Sequence, residues 1–146
     1  MNFVKSTLFT STLLLSLASN AASISTIGTH DNGVFNEMQQ IQLKSAGEGS
    51  VANSGDIFFI DSNDVQVEDL NKELLQDFNS IVIIGDALKN KELMVKLVGF
   101  GIEREVVVIT DIHDLSKREI TTYSKGDKAS DVKVAAVLMD TLTRNQ

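Results

Sequence analysis

Residues 80–111 read SIVIIGDALKNKELMVKLVGFGIEREVVVITD. The two apolar, β-branched runs 81–84 and 106–109 are typical of strands that are buried on both faces. Between them, Asp86 is placed to cap a helix. The apolar stripe predicted for this helix consists of Leu88, Leu93, Met94, Leu97 and Val98. A strand, a crossover helix and a second strand together predict a parallel β-α-β unit.

The rest of the chain continues this alternation. A third apolar run, residues 57–60, predicts another buried strand that ends at Asp61. Ile24 and Ile27 predict a short first strand. Apolar residues at helical spacing predict helices over residues 34–44, over 67–78 and from 129 onward.

Residues 119–123 alternate apolar and polar side chains, as a half-exposed strand does, and they can form an edge hairpin with residues 105–109. Strands that alternate with helices are the pattern of an α/β protein. The sequence therefore predicts a three-layer α/β sandwich with a mostly parallel sheet and a C-terminal edge hairpin.

The first 21 residues have the pattern of a secretory signal peptide. Lys5 supplies a basic start, residues 8–18 are apolar, and Ser19-Asn20-Ala21 ends in small residues. The apolar run has about half the roughly 20 residues that a membrane-spanning helix needs. We therefore expect cleavage after Ala21, export to the periplasm or the medium without a stable membrane anchor, and one α/β domain over residues 22–146.

Charge and composition exclude several classes of partner and chemistry. The chain has 13 basic and 20 acidic residues, and loss of Lys5 with the signal peptide changes the net charge from −7 to about −8. This excess of negative charge disfavours nucleic acid and anionic lipid as partners. Cysteine and proline are both absent. A disulfide framework, thiol chemistry and a thioredoxin-like site with its cis-proline are therefore excluded.

The order of turns resembles a known family. Residues 24–28, the helix entry His30-Asp31-Asn32-Gly33-Val34-Phe35, the stretch Phe59-Ile60-Asp61-Ser62-Asn63 and residues 81–86 look like the amino-terminal lobe of ribose-type periplasmic binding proteins. In that family the segment after the first strand and the ends of later strands touch the ligand. The resemblance implies that Asn32, Phe35, Asp61 and Asp111 contact a ligand, although this chain has length for only one of the two lobes.

Carboxylates follow three of the predicted strands. Because ligands of open α/β sheets bind beyond the carboxyl ends of the strands, we expect Asn32, Asp61, Asp86 and Asp111 to border one ligand-binding crevice. The three aspartates have the oxygen ligands that Mg²⁺ or Ca²⁺ prefers. The alternative is that each aspartate only caps a helix or begins a turn.

Other chemistry receives less support from the sequence. His30 and His113, together with a carboxylate, have the ligand types of a zinc site. The alternative is that both histidines are exposed residues in turns. A serine-nucleophile elbow and phosphate-binding glycine loops are absent. We therefore assign no catalytic residue, no metal and no cofactor.

Tyr123, the only tyrosine, lies on the predicted edge strand, where an exposed aromatic residue can anchor a partner protein. Ordinary cross-strand packing is the alternative. The favoured interpretation is a non-catalytic exported module that binds another envelope protein. A small-ligand binder at the strand ends is the first alternative, and a metal-assisted enzyme is the second.

Overall fold

The computed structural model describes residues 23–27, 32–47, 56–124, 126 and 129–144. The predicted signal peptide and His30 lie outside the described residues. So do residues 48–55, most of the stretch 45–56 whose small polar residues and glycines predict a surface loop. The described strands are β1 (Ile24–Ile27), β2 (Ile57–Asp61), β3 (Ser80–Ile84), β4 (Val106–Thr110) and β5 (Glu119–Tyr123). The α-helices are α1 (Gly33–Gly47), α2 (Ala87–Val98) and α3 (Asp131–Arg144).

The strands form one sheet in the order β1-β2-β3-β4-β5. β1, β2 and β3 are parallel, whereas β4 is antiparallel to both of its neighbours. β5 therefore runs in the same direction as the first three strands, and β4 alone is reversed. The α/β sandwich, the mostly parallel strand directions and the C-terminal edge hairpin are confirmed. The predicted parallel pairing of the strands around α2 is wrong.

The chain between α2 and β4 explains the reversal. Residues 99–105 run back along α2: a Cβ atom added to Gly101 would lie 2.7 Å from the Lys91 carbonyl oxygen. Asn90 donates its side-chain amide to the carbonyl oxygens of Arg104 and Glu105, at 2.8 and 2.9 Å. An extended stretch of this length spans about 20 Å, which matches the roughly 18 Å length of α2. β4 therefore begins beside the start of α2.

Two apolar layers cover the sheet. On one face, α1 and α3 pack together over side chains that include Ile57, Phe59 and Val82. On the other face, α2 and two short 3₁₀ turns pack over side chains that include Ile60, Ile83 and Val107. Adjacent strand residues point to opposite faces, so each strand is buried on both sides.

The helix predicted over residues 67–78 is wrong. The chain there forms two 3₁₀ turns, Val67–Asp69 and Lys72–Leu75, separated by extended backbone at Leu70 and Asn71. The Asn71 side chain accepts hydrogen bonds from the backbone amides of Glu73 and Leu74. Such a local side-chain bond competes with continuous helix. Leu70 and Leu75 still reach the core, as their spacing predicted.

Candidate functional site

The two ends of the sheet present different groups. We call the end where β1, β2, β3 and β5 finish the carboxyl rim, and the opposite end the amino rim. α1 and α2 begin at the carboxyl rim, directly after β1 and β3. α3 begins there as well, because the Asp131 carboxylate lies against Gly33 at the start of α1. The carboxyl rim therefore collects the first turns of all three described α-helices.

Asn32 and Asp61 meet at the carboxyl rim. Asn32 accepts a hydrogen bond from the Phe35 amide at 3.1 Å, which caps α1, and its side-chain amide donates to an Asp61 carboxylate oxygen. The other Asp61 oxygen accepts from the Asn63 amide at 2.9 Å. Both carboxylate oxygens of Asp61 thus accept a hydrogen bond from the protein. Asn32 and Asp61, which were predicted to lie close together, therefore link β2 to the start of α1.

Asp86 lies on the same rim and caps α2. One of its carboxylate oxygens accepts from the amides of Leu88 and Lys89, each at 3.0 Å. This is the capping role that the sequence left open as an alternative. The remaining carboxylate oxygen belongs to an exposed side chain.

Ser62 is a rim residue that sequence reasoning missed. Its side chain is fully buried, and its hydroxyl has no hydrogen-bond partner among the described residues. Gly85, with a φ of 136°, leaves room for it, since a Cβ atom there would overlap the Ser62 hydroxyl. In the sequence, only the position of Ser62 directly after Asp61 indicated that it lies at this rim.

Asp111 does not belong to this group. Because β4 is reversed, Asp111 follows β4 at the amino rim, where it adopts a left-handed φ of 49°. The next residue, Ile112, donates its amide to the Asn79 carbonyl just before β3. The prediction that Asp111 shares one crevice with Asp61 and Asp86 is therefore wrong. His113 lies at the amino rim too.

Tyr123 faces α3. Its hydroxyl lies 2.5 Å from the Thr141 hydroxyl, which donates its own proton to the Val137 carbonyl at 2.8 Å. The Tyr123 hydroxyl is therefore the donor of the shared bond. Its side chain is half-buried and packs on the core beneath α1 and α3. Tyr123 thus lies on the edge strand, as predicted, but its ring is a packing group.

The outer edge of β5 is exposed. β5 pairs with β4 on one side, and no described strand pairs with the other side. Ile120 pairs with Ile109 on the α2 face of the sheet and is 38% exposed. Leu115, in the turn before β5, is 79% exposed. The edge therefore combines unpaired backbone groups with exposed apolar side chains.

Two further findings bear on function. Among the described helices, none combines the length and the apolar character that crossing a membrane requires. In the same part of the chain, His, Asp and Glu side chains form no group of three or more able to hold a metal ion. Asp61, Asp86 and Asp111 cannot form such a group, because Asp111 lies at the opposite rim.

The sequence and the fold were compared with known proteins. No protein-family model, no curated protein and no solved structure matches this chain significantly. The resemblance to ribose-type binding proteins therefore stays a prediction.

Proposed function

We propose that the protein is a small exported, non-catalytic module that binds another protein of the bacterial envelope through the outer edge of β5. One observation carries the proposal: β5 is an edge strand whose outer backbone groups have no described partner strand. Its partner contributes an extended segment, which adds a strand to the sheet. The signal-like first 21 residues support export of the module.

The composition of β5 favours strand addition. Natural proteins protect exposed edges with lysine, proline, bulges or a covering element. The sequence of β5, EITTY, has no lysine or proline and one charged residue, Glu119 at its first position, and its register with β4 is continuous. Thr121, Thr122 and Tyr123 are residues with high strand propensity. An added strand would gain backbone hydrogen bonds along β5 and an apolar contact with Ile120.

The net charge of the chain limits the kind of segment that a partner can place beside β5. The negative net charge of the protein attracts basic segments and repels acidic ones. Glu119 begins β5 and is exposed, so it supplies a local negative group at one end of the edge. We expect the partner segment to carry a basic residue opposite Glu119 and an apolar residue opposite Ile120.

Photo-crosslinking in the native cell tests this proposal. A photoreactive phenylalanine analogue at position 119 should give one discrete adduct, whereas the same probe at Leu43, an exposed residue on α1, should give none. Ile120→Lys should remove the adduct, because it places a charge on the edge. Leu43→Lys is the matched control. Equal adducts with both variants would contradict the proposal.

Export has a separate test. The periplasmic form should begin near Ala22, which intact-mass spectrometry of the fractionated protein measures directly. A chain that retains Met1 in that fraction, or that occurs only in the cytoplasm, would contradict export.

A second candidate, binding of a small ligand at the carboxyl rim, is favoured by a cavity. This cavity, of about 170 Å³, lies between the end of β5 and α3 and is lined by Val106, Tyr123, Ala129 and Val134. Its size suits a compact apolar molecule better than a sugar. Short aliphatic alcohols should raise the melting temperature of the parent, and Val134→Trp should remove the effect by filling the cavity. No rise in the parent would exclude this candidate.

A further inference from the structure

A second cavity opens at the amino rim, beside the turn that leads into β5. It has a volume of about 240 Å³ and lies between the second 3₁₀ turn, the end of α2 and the turn that follows β4. Its apolar lining includes Leu75, Leu97 and Ile112. The polar side chains that line it are Lys72, His113 and Arg118, and none of the lining residues carries a carboxylate.

Arg118 has an unused donor at this cavity. Its backbone amide donates to the Asp114 carbonyl at 2.8 Å, and one terminal nitrogen of its guanidinium donates to the Ile112 carbonyl. The Nε atom is buried and has no acceptor among the described residues. A buried N–H without a partner is costly. The other terminal nitrogen of the guanidinium makes no hydrogen bond with a described residue and is the donor left for a ligand.

His113 is held in position by a backbone carbonyl. Its Nε2 atom lies 2.8 Å from the Phe78 carbonyl oxygen, which can only accept, so Nε2 carries the hydrogen. The Nδ1 atom is then the ring nitrogen left for other contacts. The bond fixes the imidazole beside the cavity that Arg118 and Lys72 also line.

Lys72 is the third basic residue. Its side chain is exposed and makes no hydrogen bond or ion pair with any described residue. Asp114, an acidic residue of the turn after β4, is engaged by Ser116 and by Lys117 at 3.4 Å. A basic cavity on a chain with a net charge of −7 is a local exception.

We infer that this cavity binds a small oxyanion, a phosphate or carboxylate group, held by Lys72 and Arg118 beside the ring of His113. Guanidinium and ammonium groups form short, charge-assisted hydrogen bonds with such oxygens. The apolar lining has room for a small organic body attached to the anionic group. The inference is independent of the proposed role of β5.

Titration of the mature protein with inorganic phosphate, and separately with succinate, tests the inference. At constant ionic strength set with NaCl, at least one of the two should shift the backbone amide signals of His113 and Arg118 saturably. A saturable shift with phosphate alone would identify phosphoryl groups as the ligand class, and a saturable shift with succinate alone would identify carboxylates. Either result, or a response to both, supports an oxyanion site. No saturable shift with either anion would overturn it.

Variants locate the site. Lys72→Gln should weaken binding of the active anion about tenfold, because it removes a charge-assisted bond. The matched control is Lys91→Gln on α2, a lysine that pairs with Glu103 at 3.4 Å and does not line the cavity. Arg118→Lys should also weaken binding if the variant folds. Equal affinities for Lys72→Gln and Lys91→Gln would overturn the inference even if Arg118→Lys is unstable.

Discussion

The buried side-chain amide of Asn90 donates to the carbonyl oxygen of Glu105 at 2.9 Å, and the Gly85 amide donates to the same oxygen at 3.0 Å. These bonds fix residue 105 beside both the end of β3 and the first turn of α2. β4 must therefore enter the sheet at the carboxyl rim and run toward the amino rim. The direction of β4 then decides which polar residues meet at each rim.

Asn90→Ala should destabilise the protein by about 2–4 kcal/mol, because it removes the buried amide that donates to the carbonyls of Arg104 and Glu105 and creates a small cavity. Urea unfolding followed by circular dichroism measures the change. Asn36→Ala, at an exposed position of α1, is the control and should change stability by less than about 0.5 kcal/mol. Similar values for the two variants would mean that Asn90 does not hold the return segment.

Gly101→Ala should cost about 1–3 kcal/mol, because the added Cβ would lie 2.7 Å from both Lys91 Cγ and the Lys91 carbonyl oxygen. At Gly126 an added Cβ meets nothing within 4 Å, so Gly126→Ala should be neutral or slightly stabilising. Melting temperatures of the two variants provide the comparison. A neutral Gly101→Ala would show that residues 99–105 do not run closely along α2.

Tyr123→Phe should lower stability by about 0.5–1.5 kcal/mol, since it removes the hydroxyl that donates to Thr141. In a double-mutant cycle with Thr141→Val, the two changes should be less than additive. Denaturant unfolding of the four proteins measures the coupling. Full additivity would mean that the two hydroxyls do not interact.

Ser116 holds the pKa of the Asp114 carboxyl below its ordinary value of 3.8, through hydrogen bonds from its hydroxyl and its amide. Lys117 contributes less. A lowered folded-state pKa adds stability that is complete above the unfolded value and is lost as the pH falls through the folded value. The turn after β4 should therefore loosen only below about pH 4.

A carboxyl NMR titration checks this assignment. Ser116→Ala should raise the pKa of Asp114 toward 3.8, and Lys117→Gln should raise it by a smaller amount. A larger effect from Lys117→Gln would make the ion pair, and not the Ser116 bonds, the main cause.

Local pattern was sufficient to predict the five strands, because apolar runs and alternation depend only on neighbouring residues. The Asp86 cap and the edge hairpin were predicted for the same reason. The direction of β4 was not predicted, since residues 80–111 show the same apolar pattern for a parallel or an antiparallel pair. The available sign of the reversal was the length of the connection between α2 and β4, residues 99–105, because most connections between a helix and a strand are shorter.

The helix faces were predicted only in part. Leu88 was expected inside but is 57% exposed, whereas Asn90 is completely buried. A buried asparagine with two backbone partners cannot be recognised from hydrophobicity. The meeting of Asn32 with Asp61 followed from the strand-end rule. The grouping of Lys72, His113 and Arg118 did not, because it depends on the reversal of β4.

The measurement that tests this arrangement most directly is a set of methyl NOEs between β3 and β4. The antiparallel register pairs Ile81 with Ile109 and Ile84 with Val106. NOEs within these two pairs are the predicted result, and they would place His113 and Arg118 at the same rim as Lys72. NOEs from Ile81 to Val106 and from Ile84 to Ile109 would show a parallel pair instead, and would contradict the position of the amino-rim cavity.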